Sequence, residues 1–296
     1  MATTRPPASD IIKTYPHRGP MQQFRLAELT AFHCFRCGQS KKSKLVVIYD
    51  DDWDRLLCNG CYGRLLSIYQ IKSGTNSDDE KATELARVLL SLYSKDQIVE
   101  AERRYRLAEK RAEILSPDAM RFIATAEFVS QALQSASDLD WSSAIIGLCK
   151  AVEIEVVGRI IRPLAAHLKD VSLEADKIDK DIGRVARFLS QPHLLPPELG
   201  TFSYFLQTSL HSETRRRTSP SINGLYRLFS LWPNSSWLAD IRGFYHSLIS
   251  LTRNFQNRAA HMEALSATDY QECREFVLGH DGLLWKLIFA TQPHKK

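Results

Sequence analysis

The chain has 296 residues, 44% of them apolar and 25% charged, with a formal net charge of +5. This is the make-up of a globular protein large enough for two domains and a real core. No stretch approaches the ~20 consecutive apolar residues of a membrane span, and residues 1–20 lack the apolar core of a signal peptide. The mild basic excess permits a polyanionic partner without requiring one. The expectation is a flexible arm over residues 1–21 and a cytoplasmic protein that meets no membrane.

The first module is expected over residues 22–72. It contains Cys34-x2-Cys37 and Cys58-x2-Cys61, two knuckles whose thiolates can close a tetrahedral shell around one metal ion. A shell filled by four protein ligands leaves no site for water, so the spacing predicts one structural Zn2+ per chain rather than a catalytic one. Two disulfides are the alternative. The remaining cysteines, Cys149 and Cys273, stand alone in helical patterns, which favours the metal. Between the knuckles, Lys44 to Tyr49 is rich in branched residues and predicts a strand. The acidic run Asp50-Asp51-Asp52 predicts a turn, and Tyr62, Leu65, Leu66 and Tyr69 fall at helical spacing after the last ligand. Knuckle, hairpin and helix in that order make a treble clef, with a two-stranded zinc ribbon the less fitting alternative. Arg36, Lys41, Lys42 and Lys44 give the module a basic side suited to nucleic acid, and Phe35, Tyr49 and Trp53 are candidates to stack bases.

Residues 73–115 are expected to be a charged helical connector. Ser77-x-x-Glu80 and Ser94-x-x-Gln97 both match the capping box. The two helices that follow, about residues 78–93 and 95–115, end in a dense mixture of Glu, Arg and Lys typical of a solvated spacer laced by i,i+4 pairs.

From Ser116 the apolar period becomes helical, and residues 116–296 are expected to form an all-α bundle. Ser116-Pro117 is a helix start, and Asp140 caps a second long helix, residues 141–168. That helix is apolar around most of its circumference and belongs at the centre of a bundle, with Glu153 and Glu155 expected on its thin solvent side. Further helices are expected at residues 178–189, 199–206, 237–261, 267–278 and 282–289. Arg215, Arg216 and Arg217 fall in an expected polar loop over 211–221, either as a solvated charge run or as a phosphate-contacting surface. The fold class is therefore mainly α, a helical bundle preceded by a small α+β zinc module. Gly-rich phosphate loops, H-E-x-x-H, a serine nucleophile elbow and a helix-turn-helix are not found in the sequence.

Asn257-Arg258-Ala259-Ala260-His261, with the helix opened by Ser266-Ala-Thr-Asp269, resembles the C-terminal part of HEPN domains, the higher-eukaryote and prokaryote nucleotide-binding helical bundles. Lys150-Ala151-Val152-Glu153 likewise resembles part of their second long helix. The resemblance covers residues 116–296 and implies a HEPN-like bundle that binds or cleaves RNA in a defence or toxin setting and pairs with a second copy. The implied catalytic set is His261 and Asn257 with a nearby arginine. The position matching the family's motif arginine is Gln256, so Arg253 or Arg258 would have to supply the cation. If the bundle does not cut, the expectation becomes a non-catalytic adaptor. Its zinc module would bind a protein partner, and its bundle would dimerise through the motif helix and the long helix from Trp141.

Overall fold

A computed structural model describes residues 7–91, 95–133, 140–261 and 263–292. Strands β1 (Ile11–Thr14), β2 (Met21–His33), β3 (Ser40–Tyr49) and β4 (Asp52–Leu57) form one antiparallel sheet in the order β1-β2-β3-β4. The β3–β4 hairpin turns on Asp50 and Asp51, both at positive φ (61° and 57°), with Tyr49 opposite Asp52. Two left-handed residues in a two-residue loop match the twist of the flanking strands. Arg55 lies 3.9 Å from Asp50 and 3.2 Å from Asp52, offsetting the repulsion in this acidic turn. β2 carries extra residues against β3: Arg25 faces Leu45, but Thr30 faces Ser43.

The flexible arm expected over residues 1–21 is corrected by β1, which pairs with β2. Gly19 closes the intervening turn at φ +61°, and a Cβ there would come within 2.3 Å of the Tyr69 ring. Only glycine allows both that backbone and that approach.

Helix α1 (Asn59–Ser73) covers one face of the sheet. Met21, Val47, Leu57 and Leu65 cluster there with Cys34 and Cys61. Phe24, Leu26, Phe32, Val46, Ile48 and Leu56 form a second cluster, with Ile11 and Trp53 packed against it.

Then come α2 (Asp78–Ser91), α3 (Lys95–Ala108), α4 (Pro117–Leu133) and α5 (Ser142–Val156). The Ser77–Glu80 capping box forms, with Ser77 N–H donating to Glu80 (2.9 Å) and Glu80 N–H to Ser77 Oγ (3.3 Å). Ser94, the cap expected for α3, lies outside the described residues. The solvated connector is corrected. Leu85, Ala86 and Leu89 of α2 are buried in the bundle core, because α2 is amphipathic and lies against α5. Gly147 permits that approach: a Cβ would sit 2.7 Å from Leu89 Cδ2. The outer face of α3 does hold the expected pairs, Glu100 with Arg103 and Arg104.

α5 is buried on nearly every side and runs through a π-turn (Val157–Ile161) into α6 (Arg162–His167). Glu155 does not face solvent as expected. It is 2% exposed, accepts the Ser116 N–H at 2.7 Å and pairs with Arg159. A buried carboxylate needs such partners, and these tie the start of α4 to α5. Glu153 is partly exposed and pairs with Lys150.

The remaining helices are α7 (Lys180–Ser190), α8 (Leu199–His211), α9 (Glu213–Thr218), α10 (Pro220–Ser230), α11 (Ser236–Ala239), α12 (His246–Leu251), α13 (Asn257–Ala260), α14 (Ala267–Leu278) and α15 (Leu283–Ala290). The loop expected at 211–221 is helix α9, capped by Ser212. The single helix expected over 237–261 is broken near Asp240, and Gly243 adopts non-helical angles there. A further π-turn, Thr252–Gln256, joins α12 to α13. No helix among the described residues is long and apolar enough to cross a membrane.

Candidate metal centre and the motif region

Cys34 follows β2, and its carbonyl accepts the Gly38 N–H at 2.8 Å, closing the first knuckle. Gly38 sits at φ +67°, as a tight knuckle demands. Phe35 N–H donates to the Leu56 carbonyl (2.7 Å), clipping the knuckle to β4. Cys58 is the N-cap of α1 and Cys61 lies in its first turn. The four sulfurs all lie within 4.8 Å of one another, with Cys37 and Cys58 at 3.9 Å. Sulfurs bound tetrahedrally at ~2.3 Å stand roughly 3.8 Å apart, so the quartet fits one metal ion. All four cysteines are free thiols rather than disulfides. The Cys58 N–H also donates to Cys34 Sγ at 3.3 Å, a bond that favours thiolate. The Cys61 thiol beside Cys34 lowers the Cys34 pKa to about 4, while Cys61 itself is pushed up. An all-sulfur tetrahedron selects zinc or iron among common metals.

Beside this quartet lies a cleft of about 430 Å³ lined by Cys37, Gln39, Lys41, Lys42, Asn59 and Arg64, among others. Every charged side chain in its wall other than the cysteines is basic. Lys41 and Lys42 were expected from the sequence, whereas Arg64 of α1 was not. Its position six residues after Cys58 was the available signal, since the first turns of a ligand-bearing helix face the metal. Arg36 and Lys44 are not part of this wall. The three aromatic residues expected to stack bases pack within the protein instead. Phe35 stacks on Tyr49 with ring centres 6.2 Å apart, and Trp53 lies on Phe24 at 4.9 Å.

The motif region has the opposite character. Gln256 is 2% exposed, and its Nε2 donates to Asp79 Oδ1 at 2.9 Å while its Oε1 has no partner. Burial, reinforced by the neighbouring Glu198 carboxyl and then by Glu153 and Asp78, pushes the Asp79 pKa up to about 7. His261 ends α13, exposed, with Nε2 3.4 Å from Asp78. Arg258 is held by Glu263 and Asp269, each at 2.9 Å. Arg253 is exposed, whereas Gln256 is buried. Arg253, one of the two arginines expected to stand in for Gln256, therefore does not share a face with it. The π-turn lets Arg253 project to solvent while Gln256 enters the core. Asn257 is half-buried.

The three arginines of α9 are each engaged. Arg215 pairs with Asp179 (3.3 Å) and Arg217 with Glu213 (2.5 Å). Arg216 donates to the Ser209 and Leu210 carbonyls and lies over the Tyr226 ring.

The two elements of the chain meet at Lys72. This last-turn residue of α1 is 4% exposed, and its Nζ donates to Asp140 (2.9 Å), Ser142 (3.1 Å) and the Glu263 carbonyl (2.6 Å). The chain matches no protein-family model, no curated protein and no solved structure.

Proposed function

We propose that this is an RNA-binding protein with a HEPN-like bundle, which grips RNA at a zinc-organised module and does not cut it. The observation that carries the reading is the wholly basic wall of Lys41, Lys42 and Arg64 beside the cysteine quartet. The thiolate shell of a bound dication is itself net negative, and three cations more than balance it. The surplus suits backbone phosphates. Zinc is the metal proposed, because it fills a four-thiolate site without redox chemistry.

The absence of cleavage follows from charge. A metal-independent ribonuclease needs a cation where the phosphorane develops. Asp78 stands 3.4 Å from His261 Nε2, the cation of Arg258 is neutralised by two carboxylates, and Gln256 is buried. This acidic setting repels a phosphodiester. Pairing of two bundles through α5 is not part of the proposal, since α2, α4, α13, α14 and α15 cover that helix within one chain.

The test is fluorescence anisotropy with a single-stranded RNA oligonucleotide, followed by a gel for cleavage products in EDTA. Binding should fall steeply with salt, and Lys41→Glu/Lys42→Glu/Arg64→Glu should weaken it more than about tenfold. RNA should be recovered intact. Cleavage by wild type that is lost in His261→Ala would replace this reading with a nuclease. RNA binding indifferent to the triple substitution would remove the module from it.

A further inference from the structure

Between the start of α2, the polar face of α7 and the start of α8 lies a cleft of about 520 Å³ whose walls differ in charge. One wall presents Arg184 and Arg187, one helical turn apart on α7. Arg187 has no ion-pair partner among the described residues, and Arg184 reaches only Asp181 at 3.8 Å. The other wall presents Asp79, Glu80 and Glu198, and burial, then the Glu198 charge, pushes the Asp79 pKa up. Gln256 fixes Asp79 from behind. Gly200, in the first turn of α8, gives Asp79 its room: a Cβ there would sit 3.2 Å from Asp79 Oδ2. The third side is the stiff pair Pro196-Pro197, an apolar surface.

We propose that this cleft binds a small phosphorylated polyol, such as a sugar phosphate, with the phosphate on Arg184 and Arg187 and the hydroxyl groups on Asp79 and Glu198. Guanidiniums fork onto phosphate oxygens, and two of them at i,i+3 can share one phosphate. The carboxyl groups offer several acceptors to hydroxyls, and their charge repels a second anion. The volume is that of an ordinary small-molecule site. The rigid proline wall suits the C–H face of a sugar. Nothing in this site depends on RNA binding at the metal module, which lies on other elements.

Isothermal titration calorimetry of the full chain with ribose 5-phosphate and glucose 6-phosphate tests it, beside inorganic phosphate, free ribose and free glucose. At least one sugar phosphate should bind saturably, about tenfold or more tighter than inorganic phosphate or its free sugar. Arg187→Ala, a change at an exposed position, should weaken binding about tenfold and leave RNA binding unchanged. Glu198→Gln, which keeps a hydrogen-bonding group, should weaken the sugar phosphate but not inorganic phosphate. Equal binding of inorganic phosphate would overturn the proposal, as would full affinity in Arg187→Ala. No saturable heat from either sugar phosphate up to about 10 mM would do the same.

Discussion

Residues 11–73 carry two separate apolar clusters on the two faces of a four-stranded sheet, and one of those clusters includes Cys34 and Cys61. From Ile68 of α1 onward, one continuous apolar core takes in Leu85 and Leu89 of α2 and runs through α4, α5, α8, α10, α14 and α15. A small sheet with divided clusters buries too little surface to offset its own ordering entropy, so a metal ion held by the four cysteines would contribute much of its folding free energy. The bundle has no such need. With the proposed metal in place, the contrast is between a part ordered by a ligand and a part ordered by packing.

Breaking the metal centre should have the largest effect. Cys61→Ser, or treatment with a strong chelator, should remove most amide hydrogen-exchange protection over residues 11–65 and leave that of α5 in place. Metal analysis of the untreated protein should return about one zinc per chain. Full protection in a protein stripped of metal would erase the distinction drawn above.

On the packing side, Leu89→Ala should cost about 3 kcal/mol in denaturant unfolding, because Leu89 is fully buried against Gly147 of α5. A loss below about 1 kcal/mol would return α2 to the status of a spacer.

The junction comes next. Lys72→Met removes the ammonium from Asp140, which is itself only 15% exposed, and should cost about 2 kcal/mol. The two parts should then unfold in separate steps, read as divergence between tryptophan fluorescence and far-UV dichroism. A single unchanged transition would mean that Lys72 does not couple them.

The smallest effect is a pH dependence from Asp79. Its folded pKa of about 7 lies above the ordinary ~3.9. Below about pH 4 it is protonated in both states and contributes nothing. From about pH 4 to pH 7 the folded protein keeps a proton that the unfolded chain has released, so stability falls as pH rises. Allowing for its partial exposure, Asp79→Asn should be ~1–2 kcal/mol more stable than wild type at pH 8. The two should converge near pH 4. Identical melting profiles at both pH values would show Asp79 to be ordinarily ionised.

Features decided by neighbours in the chain could be read from it. The two knuckles, the acidic hairpin turn, the Ser77 capping box and helix α14 with its Ser266–Asp269 box all rest on residues a few positions apart. β2 was missed because its bulge between Arg25 and Thr30 throws the alternation of buried residues out of phase. Helix α9 reads as a loop because its six polar residues carry no apolar period, although Ser212 is present as a cap. The partners of the motif were beyond reach for a different reason. Gln256 and Asp79 are 177 positions apart, and only the packing of α2 on α13 brings them together. For the same reason, matching Gln256 and its neighbours to a motif did not reveal the acidic wall around them.

The π-turns in the helices that contain α5 and α12 each hold one residue more than a regular turn would. Such a turn is a place where chain length can change without loss of the helix. Deleting one residue within 252–256 would convert the bulge to α-helix and rotate everything after it by about 100° relative to what precedes it. Gln256 would leave Asp79, Arg253 would turn inward, and His261 would face a different neighbour. A single in-frame deletion is thus enough to re-aim the whole motif, which makes this turn a point where lineages of such a protein can diverge in one step.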